Sequence, residues 1–198
     1  MGLSVSYYSQ LEPVKSTLSN GCVCGECDLD DEASCICDEY VQAKLIDGFS
    51  SQYEGLERDA VYKANGECGE FYGLSCGGYT DFRDALAKMV GYPLATLDVY
   101  LQGPTEKHLW GALEAKSGPF LEQLNFPDCD TCIGPVASKR LYDDYVKFER
   151  MAKSFHVEES YLFADVMADA EGTMFYRVYK QFMKAFEVGS NNGLVELG

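Results

Sequence analysis

Residues 80–93 read TDFRDALAKMVGYP and predict a helix from about Asp81 to Val90, the best local signal in the chain. Thr80 is a candidate N-cap, and Gly91 with Pro93 marks the end of the helix. The apolar residues of the segment recur at helical spacing and form one stripe: Phe82, Ala85, Leu86, Met89 and Val90. This helix separates a strand-rich first part of the chain from a helix-rich second part.

Strand patterns dominate the residues before this helix. Leu3 to Tyr8 alternates in polarity as a strand does, and Val41 to Ile46 is a second candidate. Ala60–Ala64 and Glu70–Leu74 flank Asn65-Gly66 and together predict a β-hairpin, because Asn-Gly readily adopts the positive φ angles of a tight turn.

Helical patterns dominate the residues after it. Helices are predicted at Glu106–Ala115, Pro135–Phe155 and Met174–Val188, with strands at Phe120–Phe126 and Leu194–Leu197. Early strands and late helices indicate an α+β fold, in which a small antiparallel sheet from the N-terminal half packs against C-terminal helices. We predict a single domain over residues 1–198, with a Cys-rich loop module at residues 19–40.

The charge of the chain is strongly negative and unevenly distributed. The 198 residues include 16 Lys and Arg against 32 Asp and Glu, a net charge of −16. Residues 1–60 hold twelve acidic and three basic side chains, a net charge of −9. A negative surface repels phosphates and anionic lipids, so direct binding of nucleic acid or membrane is not expected.

Five cysteines, spaced C-x-C-x₂-C-x₇-C-x-C, dominate the loop module: Cys22, Cys24, Cys27, Cys35 and Cys37. Closely spaced thiolates on tight turns suit a tetrahedral zinc site with Zn–S bonds of about 2.3 Å. We predict a structural zinc there, since four thiolates leave no position for water. Cys68 and Cys76 are candidate further ligands. Unliganded thiols or disulfides are the alternatives.

Residues 1–6 lack the basic and apolar regions of a signal peptide, so we expect none, and no apolar run approaches the ~20 residues that span a bilayer. We therefore expect a cytoplasmic protein. Nine cysteines, an odd number in a reducing compartment, favour metal binding or thiols over disulfides.

A second candidate site is Asp128-Cys129-Asp130, between the predicted strand Phe120–Phe126 and the predicted helix from Pro135. The two carboxylates could bind a divalent metal or act as acid and base, with Cys129 beside them. Alternatively, they serve a turn and cap the helix. Cys129 and Cys132 form a C-x-x-C, but no proline comes after Pro135 in the chain, which argues against a thioredoxin-like site.

Three stretches resemble a family of small proteins of tailed bacteriophages and prophages: residues 77–93, 118–148 and 184–197. The middle stretch contains the most specific part, a D-C-[DE]-x-x-I-G-P core at residues 128–135. The resemblance implies a phage origin and no established activity. Cys132 and the N-terminal cysteine cluster depart from the family's pattern.

From these features we expect a phage accessory protein that binds a bacterial host protein and inhibits a defence system, without catalysis. The expected binding residues are acids of the loop module: Asp28, Asp30, Asp31 and Glu32. One alternative is a metal-dependent hydrolase using Asp128 and Asp130. Another is a sponge for a small nucleotide signal, using residues such as Lys139, Arg140 or Arg177. We expect the protein to act in the cytoplasm of an infected host cell.

Overall fold

The computed structural model describes residues 2–14, 40–45, 51–95, 107–115, 117–126, 131–156 and 173–198. The strands are β1 (Gly2–Tyr8), β2 (Leu11–Val14), β3 (Tyr40–Gln42), β4 (Val61–Ala64), β5 (Cys68–Ser75), β6 (Thr131–Ile133) and β7 (Leu194–Leu197). The helices are α1 (Cys76–Met89), α2 (Lys107–Glu114), α3 (Leu121–Leu124), α4 (Pro135–Ser154) and α5 (Met174–Gly189). Within these ranges no helix has the length and apolar character needed to cross a membrane.

The strands form two sheets, and the α+β class is confirmed. One sheet has the order β5-β1-β7-β6, and the other has the order β2-β4-β3. The pairs β1–β7, β6–β7, β2–β4 and β3–β4 are all antiparallel. The predicted closing strand is confirmed, since Val5 lies opposite Leu197. The expectation that the sheet comes from the N-terminal half is wrong for β6 and β7.

The predicted hairpin around Asn65-Gly66 is wrong, because its two strands belong to different sheets. The backbone amides of Asn65 and Gly66 donate to the carbonyls of Gln10 and Ser9, over 3.2 Å each. A Cβ on Gly66 would lie 2.5 Å from the hydroxyl of Ser9. A side chain here would have to displace the Ser9 hydroxyl, so a close approach of two chain segments, rather than a positive φ, favours glycine.

Helix α1 begins earlier than the sequence predicts. Its N-cap is Ser75, whose hydroxyl accepts from the amide of Gly78 over 3.0 Å, and not Thr80. Gly77 and Gly78 have low helix propensity, which conceals the first turn. Four residues of the predicted stripe are buried, namely Phe82, Ala85, Leu86 and Met89.

The predicted strand Phe120–Phe126 is also wrong, because residues 121–124 form the short helix α3. Phe120 precedes it with φ 60°, and the Asp144 carboxylate accepts from the Phe120 amide over 2.7 Å. Its buried residues Phe120, Gln123 and Leu124 have helical spacing. The other predicted helices are confirmed, with no boundary shifted by more than one residue.

Two compact units divide the chain. Unit 1 comprises residues 1–4, 71–128 and 140–184, and unit 2 comprises residues 5–70, 129–139 and 185–198. The core of unit 1 is aromatic: Phe82 stacks on Phe182 at 5.1 Å, and Tyr145 contacts Tyr179 at 4.5 Å. In unit 2, a Cβ on Gly189 would lie 2.8 Å from Val195, so α5 ends against β7. The predicted single domain over residues 1–198 stays a prediction.

Candidate functional site

The predicted zinc ligands and binding acids lie outside the described residues. This holds for the five clustered cysteines and for the acids at positions 28, 30, 31 and 32. Of the further candidates, Cys68 is exposed, and Cys76 is the first residue of α1. Among the residues that the structure describes, no group of three or more His, Cys, Asp or Glu is arranged to hold a metal. The structural zinc stays a prediction.

Asp128, Cys129 and Asp130 also lie outside the described residues, but the residues immediately after them are placed. Thr131, Cys132 and Ile133 form the buried strand β6, and α4 begins only at Pro135. The predicted junction of strand and helix is therefore wrong: the segment lies between α3 and β6. Pro135, the first residue of α4, is five positions beyond Asp130, and the alternative in which these aspartates serve a turn and cap the helix stays a prediction.

Cys132 is a buried core residue. The residue is 1% exposed, and its thiol donates to the Lys44 carbonyl over 3.6 Å. Burial raises the pKa of Cys132 to about 12, and the nearby carboxylate of Glu196 adds to the shift. A reactive thiol needs the opposite shift, towards the thiolate. The structure therefore argues against redox chemistry at Cys132.

Polar contacts hold β6 against the chain segment before β4 in unit 2. The hydroxyls of Tyr53 and Thr131 share a buried hydrogen bond of 2.9 Å. The Gly134 amide donates to the Gln52 carbonyl over 2.7 Å. A Cβ on Gly134 would lie 2.9 Å from the Glu54 carbonyl oxygen. The Ile-Gly-Pro part of the phage-like core is thus a packing junction in this chain.

A pocket of about 220 Å³ opens beside this junction, entirely within unit 2. Its walls come from β2, from residues 55–57, from β4, from the start of α4 and from the turn before β7. The lining residues are Leu11, Pro13, Gly55, Leu56, Glu57, Tyr62, Pro135, Asn192 and Gly193. The sequence alone does not reveal this pocket, because its residues are far apart in the chain and individually ordinary.

Two partly buried carboxylates in unit 1 have structural partners. Asp84 accepts from the amides of His108 and Leu109 over 2.8 Å each, and so caps the start of α2. Asp144 holds the turn at Phe120. Burial raises the pKa of both carboxyl groups, although these hydrogen bonds act in the opposite direction. The sequence predicts neither carboxylate as a site, and backbone capping accounts for both.

The two histidines of the chain both belong to unit 1. His108 is on α2, and its Nδ1 lies 2.8 Å from the Tyr92 carbonyl, which requires a proton on Nδ1. His156 comes after α4 and is exposed. Neither forms a dyad with a described cysteine.

The basic residues proposed for nucleotide binding lie on the two long helices. Arg140 on α4 forms an ion pair of 2.6 Å with Glu122, and Lys180 on α5 forms one of 2.8 Å with Glu149. Lys139 is exposed in unit 2, and Arg177 is half-buried in unit 1. Eight of the 16 basic residues of the chain are on α4 and α5.

No family model matches the chain, and neither curated proteins nor solved structures give a match.

Proposed function

We propose that this chain is a phage accessory protein that binds a basic surface of a bacterial host protein and thereby inhibits a host defence system. The observation that carries the proposal is the unbalanced negative charge of the first 60 residues, net −9. The acids between positions 26 and 39 have no basic neighbour in sequence, and complementary charge speeds and orients association. The three stretches that resemble proteins of tailed bacteriophages support a phage origin.

Three acids that the structure describes have partners within the fold. Asp84 and Asp144 accept backbone hydrogen bonds, and Glu149 binds Lys180 and Tyr176. These acids are used within the fold. We assign the acids of the loop module to the partner.

The test is affinity capture from bacterial lysate, followed by measurement of the dissociation constant with the purified partner. One variant combines Asp28→Lys, Asp30→Lys, Asp31→Lys and Glu32→Lys. A control makes the same change in net charge at exposed acids elsewhere: Glu12→Lys, Glu114→Lys, Asp143→Lys and Glu187→Lys.

The module variant should weaken binding at least tenfold and flatten its salt dependence, while the control retains most of the affinity. Equal losses of affinity in both variants would show that the net charge of the protein, and not the loop module, determines binding. Failure to capture any reproducible partner would remove the proposal.

A second candidate function is sequestration of a small nucleotide, which the concentration of basic residues on α4 and α5 favours. Calorimetric titration with a panel of cyclic dinucleotides and mononucleotides tests it. A binding nucleotide should lose affinity with Arg177→Gln and keep it with Lys63→Gln, which changes a basic residue on β4. Absence of heat with every nucleotide would remove this candidate.

A further inference from the structure

The pocket in unit 2 has walls that the fold holds in place. The side-chain amide of Asn192 donates to the Leu11 carbonyl over 2.9 Å, and the Leu11 amide donates to the Asn192 carbonyl over 2.8 Å. The Tyr62 hydroxyl accepts from the Glu57 amide over 2.8 Å. These polar groups are already used, so the pocket needs no ligand to order them.

Part of the pocket wall is formed by Gly55, which has no side chain. Its φ is +95°, and a Cβ there would lie 2.7 Å from Cγ of Pro135. Only glycine combines this backbone conformation with this approach. Position 55 therefore contributes only backbone to the pocket wall, beside Leu56 and Pro135.

The lining combines apolar side chains with polar groups and carries one charge. Leu11, Pro13, Leu56 and Pro135 are apolar, and Tyr62 adds a ring. Glu57 is the one charged residue in the lining, and it is exposed. Because no basic residue lines the pocket, nothing in the lining neutralises this carboxylate.

We propose that the pocket binds a lysine or arginine side chain of the partner protein, with its aliphatic stem on Pro13, Leu56 and Pro135 and its charged head at Glu57. Such side chains bury their methylene stem on apolar surface and keep the charge near water. A cavity of about 150 Å³ takes a benzene molecule, so a pocket of about 220 Å³ admits a stem of three or four carbons. This inference deepens the proposed function and rests on it for the identity of the partner.

Three small probes of one shape test the pocket directly. They are n-butylguanidinium, its neutral analogue n-butylurea, and the anion valerate. Amide chemical shifts of the whole protein report binding, with Leu56 and Gly193 as lining reporters and α1 as reference. n-Butylguanidinium should shift the lining amides saturably at millimolar concentration, n-butylurea should bind about threefold more weakly, and valerate should not bind.

Glu57→Gln should remove the advantage of the cation over n-butylurea, because it removes the charge and keeps the shape. Glu187→Gln, at another exposed acid of unit 2, should preserve that advantage. n-Butylammonium in place of n-butylguanidinium distinguishes a lysine site from an arginine site. Equal binding of n-butylurea and n-butylguanidinium, or no shift at the lining, would overturn the proposal.

A second measurement separates this inference from the function on which it rests. Glu57→Lys places a cation at the exposed position and should weaken binding of the captured partner several-fold. If charge reversal at positions 28–32 abolishes binding while Glu57→Lys leaves it unchanged, the pocket assignment fails and the proposed function stands. If no partner is captured but n-butylguanidinium binds, the proposed function fails alone.

Discussion

Asp84 shows how a single carboxylate organises unit 1. It caps the start of α2 by accepting two backbone N–H groups from 24 and 25 residues further along the chain. Helix N-termini leave such donors without partners, and an acceptor there is worth about 1 kcal/mol or more. The partial burial that raises its pKa is therefore the consequence of a structural role.

Replacing Asp84 should separate capping from charge. Asp84→Ala should lower the free energy of unfolding by about 1–3 kcal/mol, because two amides lose their acceptor. Asp84→Asn retains an oxygen acceptor and should lose less. Urea denaturation of both variants at pH 7 measures the difference, and equal losses would contradict the capping role.

The raised pKa of Asp84 predicts a dependence of stability on pH. A carboxyl group with a higher pKa in the folded state binds more protons there, so its contribution to stability is complete below the unfolded value of 3.8 and falls as pH rises through the folded value. Relative to wild type, Asp84→Asn should therefore gain stability between pH 3.5 and 7. A difference that stays constant across this range would show that the group has no shifted pKa.

Two cysteines of the described chain should differ sharply in reactivity. Cys132 is buried with its pKa raised to about 12, whereas Cys68 is exposed. In native protein at pH 8, iodoacetamide should label Cys68 and leave Cys132 unmodified until urea unfolds the chain. Peptide mapping by mass spectrometry measures both. Early labelling of Cys132 would revive the redox hypothesis for the C-x-x-C.

At the scale of elements, the junction between β6 and α4 depends on a glycine. Gly134→Ala would place a methyl group 2.9 Å from a backbone oxygen that cannot move as a flexible side chain does. We expect a loss of about 1–3 kcal/mol in the free energy of unfolding. Gly78→Ala in α1 is the matched control, because its nearest neighbour lies at 3.4 Å.

The control should change stability in the opposite direction, by about 0.4–1 kcal/mol, since alanine favours a helix over the unfolded chain. Thermal unfolding of the two variants compares them directly. Similar melting temperatures for both would mean that the segment at residues 52–54 yields to the added methyl group.

The elements that sequence predicts well are those whose pattern is local. α4 and α5 are predictable because Leu141, Tyr145, Phe182 and Phe186 recur at helical spacing and are buried. The hairpin prediction fails because Asn65-Gly66 indicates only that the chain turns. β4 pairs with β2, and β5 pairs with β1, and both of these partner strands are far away in sequence.

At the scale of the whole molecule, the pocket is also hard to predict from sequence, because its residues come from distant parts of the chain. The pocket of unit 2 is built from five separate chain segments, and no motif unites Leu11, Glu57 and Asn192. The opposite holds for the acidic, Cys-rich module. The spacing of its cysteines is explicit in the sequence, whereas its geometry lies outside the described residues. Charge and spacing therefore predict a binding module, whereas only folding reveals the pocket.

The zinc prediction decides whether this module is a folded unit. Residues 19–40 contain too few large apolar side chains to order themselves by burial, so bound metal would supply the stabilisation. Protein purified without chelator should contain at least one zinc per chain by elemental analysis. Cys24→Ser with Cys27→Ser should lower that content, whereas Cys132→Ala should leave it unchanged, because Cys132 is buried in β6.

Chelation should then test the link between metal and partner. Removing zinc should weaken partner binding at least tenfold, because the acids at positions 28–32 lie between the two groups of cysteines and lose their fixed arrangement. Readdition of zinc should restore it. Disulfides would instead respond to tris(2-carboxyethyl)phosphine, a reductant without thiols that does not compete with the cysteines for zinc as dithiothreitol would. Metal-free protein that binds its partner with full affinity would show that charge alone, without a metal-ordered module, provides recognition.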